Sequence, residues 1–218
     1  MLRKKALTLG MFFLAGFVLV NIFGCTIVFQ KGRKSDIDRI QTLEQEIDRL
    51  AMIKAELEEK LKGMEGVSLD MEDRGLVITF LDEILFDSGK AKIRVEAFSA
   101  LDKLASVITD KASDLNVGVD GHTDNEPIKH SGWKSNWELS TARATSVLHY
   151  LVEKGVSPSK LAATGYGEFR PVESNDAAAG RRMNRRVEVV ILPELKKVAP
   201  VKADKPSSGM LEPKENLK

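Results

Sequence analysis

The spacing of apolar residues changes several times along the chain, and each spacing implies a different element. From Ala6 to Phe29 there is no charged side chain, and only Thr8, Asn21 and Thr26 are clearly polar. Arg3, Lys4 and Lys5 precede this run, and Lys31, Arg33 and Lys34 close it. A helix rising about 1.5 Å per residue over such a length matches a bilayer core of ~30 Å. Residues 1–34 are therefore expected to enter or cross a membrane. One reading is an uncleaved signal anchor. The other is a lipoprotein signal segment, because Ile22-Phe23-Gly24-Cys25 has the order of a lipobox, which would make Cys25 the acylated residue. Phe23 is a poor lipobox residue and Ile27-Val28-Phe29 prolong the run past Cys25, which favours the anchor.

After Asp36 the period becomes seven. With Ile40 at position a, the core positions fall on Leu43, Ile47, Leu50, Lys54, Leu57, Leu61 and Met64, and only Lys54 among them is charged. This heptad pattern predicts a coiled-coil stalk over residues 35–66, reaching on the order of 40 Å and joining two copies in a homodimer, with Lys54 weakening the pairing and fixing its register. The competing reading is a single amphipathic helix lying on another surface. Gly63 and Gly66 mark its end.

Residues 67–192 alternate between the two short periods. Leu76 to Phe80 reads as a strand that Ile84-Leu85-Phe86 extends, and Phe98, Leu101, Leu104, Ala105 and Ile108 form a helical stripe. Leu115, Val117 and Val119 alternate with polar or small neighbours, as a half-buried strand does. Ser135 and Glu138 match a capping box opening a second helix, and Gly155 ends it. Leu161 to Gly165 and Arg186 to Leu192 read as the last strands. The order is βαβαββ, an α+β fold with a mixed sheet and helices on one face. From Pro193 the composition shifts: four of the seven prolines fall in residues 193–218 among lysines, which predicts a disordered tail.

Composition narrows the function. Lys plus Arg number 33 against 32 Asp plus Glu, so the chain lacks the basic excess of a nucleic-acid binder. A single cysteine excludes an intrachain disulfide and a Cys-rich zinc module, and three dispersed histidines suggest no metal site. No cofactor is expected, and no nucleophile–base array points to an enzyme. One constellation does carry chemistry. Gly121-His122-Thr123-Asp124 ends a strand, while Asn136, Ser140 and Arg143 share one side of a helix. A carboxylate facing a guanidinium suits a zwitterion, whose ammonium and carboxylate each find an opposite charge. The alternative is an Asp124–Arg143 ion pair that merely fixes strand to helix.

These motifs, together with Leu85-Phe86-Asp87-Ser88-Gly89, Gly165-Tyr166-Gly167-Glu168 with Pro171, and Asn184-Arg185-Arg186-Val187, resemble the OmpA-like peptidoglycan-binding domain over roughly Leu76 to Leu192. The resemblance implies non-covalent binding of the peptide stem of peptidoglycan through a diamino acid such as meso-diaminopimelate. It places Asp124 on the ammonium and Arg143 on the carboxylate, with Asn136, Thr123, Leu139 and Ser140 in the same motifs. Asp87 and Ser88 carry over from the first-strand motif, where Gly89 replaces a residue that is polar in some relatives. Arg185 and Arg186 are motif residues; Arg185 is placed with the ligand-binding residues, the alternative being that one or both only brace the sheet. His122 reads as a hydrogen-bonding turn residue, and Trp133 and Trp137 as packing rather than sugar-stacking residues. The loop Asn125 to Ser135 is similar to that of MotB-type flagellar stator proteins, but the run from Ala6 to Phe29 lacks the membrane acid that proton conduction needs. The implied protein tethers a membrane to the cell wall with its head in the periplasm. The membrane is the outer one if Cys25 is lipidated, the inner one if the anchor is uncleaved. A motility accessory protein using the same wall contact is the alternative.

Overall fold

Leu50, Ile53, Leu57 and Leu61 recur at helical spacing, and this stripe decides where the first helix goes. The computed structural model describes residues 36–129 and 132–194. Helix α1 runs over residues 36–60, and its second half lays that stripe into the core of the following domain. Arg49 fastens the junction, donating to Asp114 Oδ2 at 2.9 Å and to the carbonyl of Lys111 at 3.0 Å. Strands β1 (Val67–Glu72) and β2 (Gly75–Leu81) form a hairpin, followed by the one-turn helix α2 (Asp82–Leu85) and by α3 (Phe98–Lys111). The chain continues through β3 (Asn116–His122), α4 (Asn136–Glu153), β4 (Leu161–Gly165), α5 (Ala178–Asn184) and β5 (Arg186–Leu192).

The sheet order is β1-β2-β5-β3-β4, with β3 and β4 parallel and every other pair antiparallel. A parallel pair requires a crossover, and α4 supplies it. One face carries Ile78, Phe80, Val117, Val119, Val187, Val189 and Ile191 against Leu101, Leu104 and Ile108 of α3 and Ala144, Val147 and Leu151 of α4. By strand alternation Asp120, His122, Arg186 and Glu188 fall on the other face. The expected α+β mixed sheet is present.

The βαβαββ order is present as β2, α3, β3, α4, β4 and β5, with the hairpin strand β1 and the short helices α2 and α5 added to it. Two expectations are corrected. Ile84-Leu85-Phe86 does not prolong β2. The chain turns out of the sheet at Asp82, whose N–H donates to the carbonyl of Arg185 at 2.9 Å and whose carbonyl accepts from Phe86 N at 2.8 Å. The heptad seam also divides. Ile40, Leu43 and Ile47 are exposed, but Leu50, Leu57 and Leu61 pack into the domain's own core, joined by Ile53 from outside the a/d frame. A helix of 3.6 residues per turn drifts against a repeat of 3.5, so a short heptad run serves a single-helix docking face equally well. Lys54 is half-buried and pairs with Glu58 at 3.3 Å.

The membrane segment of residues 1–34 with Cys25, and the tail from residue 195 on, lie outside the described residues. Among the described residues no helix is long and apolar enough to cross a membrane.

Because Leu57 is fully buried, Leu57→Ala should destabilise the domain by about 2–5 kcal/mol. Ile40→Ala, on the exposed half of α1, should change it by no more than about 0.5 kcal/mol. Urea unfolding of the two variants, each at low protein concentration, checks the contrast.

Candidate functional site

The site is built where α4 begins. The Ser135 hydroxyl accepts from Glu138 N at 3.4 Å, capping the helix, while the Glu138 carboxylate reaches back one residue further and accepts from Lys134 N at 2.9 Å. The first turns of α4 press on the ends of β3 and β4, and two glycines permit it. A Cβ on Gly121 would lie 2.2 Å from the carbonyl oxygen of Ser140, and one on Gly165 would lie 2.1 Å from Thr141 Oγ1. Ser140 is consumed by this contact. It is fully buried, its hydroxyl donating to the Trp137 carbonyl at 3.1 Å and accepting from Gly167 N at 3.0 Å. Its expected place in the ligand site is therefore corrected: it holds α4 against the strand ends.

The approach opens a cleft of about 770 Å³ beside the end of β3, within the size range of ligand sites. Thr123, Asp124, Asn136, Leu139, Arg143, Arg185 and Ser88, all singled out in the sequence, line it together with Asp82, Phe86 and Lys90. Asp87 is not part of this lining. It is exposed and pairs with Lys90 Nζ at 3.0 Å. Asn136 ties the loop after β3 to the helix, donating to Glu168 Oε2 at 2.6 Å and to the carbonyls of Asp124 and Glu126.

Asp124 and Arg143 face one cleft without binding each other. Arg143 is only 3% exposed; its Nη2 lies 2.9 Å from Asp82 Oδ2, its Nε donates to the carbonyl of Lys90 at 2.9 Å, and its guanidinium sits 5.2 Å from the Phe86 ring centre. Asp124 is 5% exposed and accepts from Arg185 Nη1 at 2.6 Å and from Glu126 N at 3.2 Å. The site thus holds two crossed ion pairs. Two buried atoms at the cleft, Asp82 Oδ1 and Thr123 Oγ1, have no hydrogen-bond partner. Burial pushes the Asp82 carboxyl up to about 6, even though Arg143 and Arg185 favour its charged form. Burial likewise lowers Arg143, and Asp82 opposes that shift.

Asp82 was missed in the sequence. Its only signal there is an acid directly after an apolar strand, shared with Glu83, and pattern alone does not say which of the two turns inward. Arg186 braces the sheet: its Nε donates to Glu188 Oε1 at 2.6 Å on the face away from the helices. His122 is the buried last residue of β3 rather than a turn residue, with Nε2 3.6 Å from Glu188 Oε2 and its ring stacked on Tyr166. Trp133 Nε1 donates to the carbonyl of Gly89 at 2.9 Å, and Trp137 stacks on Phe169 with centroids 5.0 Å apart. Among the described residues no cluster of His, Cys, Asp and Glu is arranged to hold a metal ion.

Residues 85–185 match the OmpA family, and with the mixed sheet and its crossover helix they make this head a domain of that family. The chain is 41% identical over 150 residues to Motility protein B of Bacillus subtilis (strain 168), covering 67% of this chain and 57% of that protein. Its structure is similar to that of a MotB-like protein from Desulfovibrio vulgaris, with a TM-score of 0.64 and 27% identity, covering 71% of this chain and 97% of that one. It is also similar to the cell wall anchor of the T6SS from Pseudomonas aeruginosa, with a TM-score of 0.59 and 31% identity over 65% of this chain and 97% of that one. The chain spans about half the length of the curated relatives it matches.

A carboxyl raised from 3.8 to about 6 holds its proton more tightly in the folded state. Asp82 then contributes stability that is fully present below the unfolded value and is lost as pH rises through about 6. Carboxyl-carbon NMR titration should find an Asp82 midpoint near 6, and Asp82→Asn should remove that part of the pH dependence of stability. A midpoint at the ordinary value would contradict the burial of its charge.

Proposed function

We propose that this chain is a non-enzymatic tether that holds peptidoglycan reversibly through the diamino acid of its peptide stem, with meso-diaminopimelate as the fitting residue. The observation that carries this reading is the pair Asp124 and Arg143, both buried, both lining one cleft, and not bound to each other. The ammonium of the diamino acid goes to Asp124 and its carboxylate to Arg143, whose planar guanidinium donates to it in bidentate fashion. Thr123 and Asn136 add polar contacts and Leu139 an apolar wall. Similarity to a cell wall anchor of known structure supports attachment to the cell wall.

The apolar run at residues 6–29 supports attachment to a membrane, either as an uncleaved anchor or through acylated Cys25, with the head on the periplasmic side. Ile40, Leu43 and Ile47, left exposed on the first half of α1, form the seam for a second copy. Two heads on one stalk gain avidity on a repetitive polymer. A second reading, a motility accessory using the same wall contact, is favoured by the 41% identity to Motility protein B. The absence of an acid between Ala6 and Phe29 separates it from proton conduction.

Asp124→Ala and Arg143→Ala should each weaken co-sedimentation with purified peptidoglycan by about tenfold to a hundredfold, as loss of a hydrogen bond to a charged group does. The variants are first shown to be folded by circular dichroism, and the polymer should come through the incubation without released fragments. Parent-like sedimentation of both variants would remove the site assignment.

A further inference from the structure

The cleft contains a charge for which the wall-binding reading has no use. Asp82 sits at the end of β2, 7% exposed, with Oδ2 on Arg143 and Oδ1 buried without a partner. Its backbone is held on both sides, the N–H donating to Arg185 and the carbonyl accepting from Phe86, and its burial at the end of β2 keeps the carboxyl beside the cleft. A buried carboxylate oxygen without a donor is costly unless something arrives to supply one.

We infer that Asp82 makes this cleft selective for a zwitterion over a simple anion. Its unpaired Oδ1 joins Asp124 in accepting from the ligand's ammonium, and its charge offsets the guanidinium that binds the ligand's carboxylate. This inference rests on the reading of the cleft as the diamino-acid site.

The charge balance is the core of the argument. Asp82 and Asp124 face Arg143 and Arg185, so the inner site is neutral. With Asp124 as its only acid, the same site would carry a net positive charge and draw in any carboxylate. With Asp82 ionised, a ligand bearing carboxylates alone competes with Asp82 for Arg143 and gives nothing to Oδ1. A ligand bearing an ammonium as well satisfies that oxygen while its carboxylate shares Arg143. Discrimination of this kind comes from the unfavourable encounter with the wrong ligand as much as from contacts to the right one.

The groups facing the Asp82 carboxyl are Arg143 from α4, Arg185 just before β5, Asp124 just after β3 and Glu83 beside it on α2. Burial raises its protonation to about pH 6, so selectivity should be full above that pH and relax as the pH falls through it.

Isothermal titration calorimetry on the full-length chain in detergent tests this with two probes, meso-diaminopimelate and pimelate, which share a carbon chain and two carboxylates but differ in their ammonium groups. At pH 7.5 the parent should prefer meso-diaminopimelate by about tenfold or more. Asp82→Asn should bring the two affinities close together, and Asp82→Glu should restore part of the preference by restoring the charge. In the parent itself the preference should shrink between pH 7.5 and 5.5, a result that does not depend on any variant folding. A parent-like preference in folded Asp82→Asn, or a preference in the parent that is flat across this pH range, overturns the role of Asp82 and leaves the wall reading standing. A parent that binds neither meso-diaminopimelate nor peptidoglycan overturns both.

Discussion

A guanidinium taken out of water has to be answered by an opposite charge, and the architecture of this head follows from how Arg143 is answered. Removing the partner of a buried ion costs about 3–5 kcal/mol, more than most surface contacts contribute. Arg143 meets that requirement with Asp82, from the end of β2, and not with Asp124. Asp124 in turn is held by Arg185, which precedes β5. The crossed pairing links four separate chain segments at one place. It also gives Asp124 and Arg143 different partners in the lining of one cleft, so neither is locked onto the other.

The apolar framework exists to make that crossing possible. Glycines at 121 and 165 let α4 lie directly on the strand ends, and Ser140 spends its hydroxyl holding it there. Arg143 follows three residues later on the same helix, just under one turn, and its guanidinium reaches Asp82 of α2. Trp133 ties the loop before α4 to Gly89, which itself lines the cleft. Helix α1 contributes at a distance, since its second half completes the core on which α3 is seated, while its first half stays exposed.

Much of this was legible in the residues alone. The alternation around Val117 and Val187, the cap at Ser135 and Glu138, and the terminating Gly155 mark elements whose local preferences and tertiary packing agree. Asp124 and Arg143 stood out as an acid at a strand end and a base on a helix face. What could not be read was pairing. Nothing in the order of residues tells that Arg143 chooses Asp82, since that contact joins positions 61 apart in sequence and depends on the chain turning out of the sheet at Asp82. The seam on α1 misled for a related reason. Leu50, Leu57 and Leu61 satisfy a heptad and a docking stripe equally, and only the presence of a core within reach decides between a partner and the chain's own domain. Ser140 faces the same side as Arg143 by periodicity, yet the closeness of Gly121 and Gly165 leaves it no access to the cleft.

The central claim is that the cleft takes a zwitterion between Asp124 and Arg143, and a crystal structure of the chain with meso-diaminopimelate bound tests it most directly. The account predicts the ligand's ammonium against Asp124, its carboxylate on the guanidinium of Arg143, and a donor newly supplied to Asp82 Oδ1. Ligand seated outside this cleft, with the crossed ion pairs untouched, would contradict it.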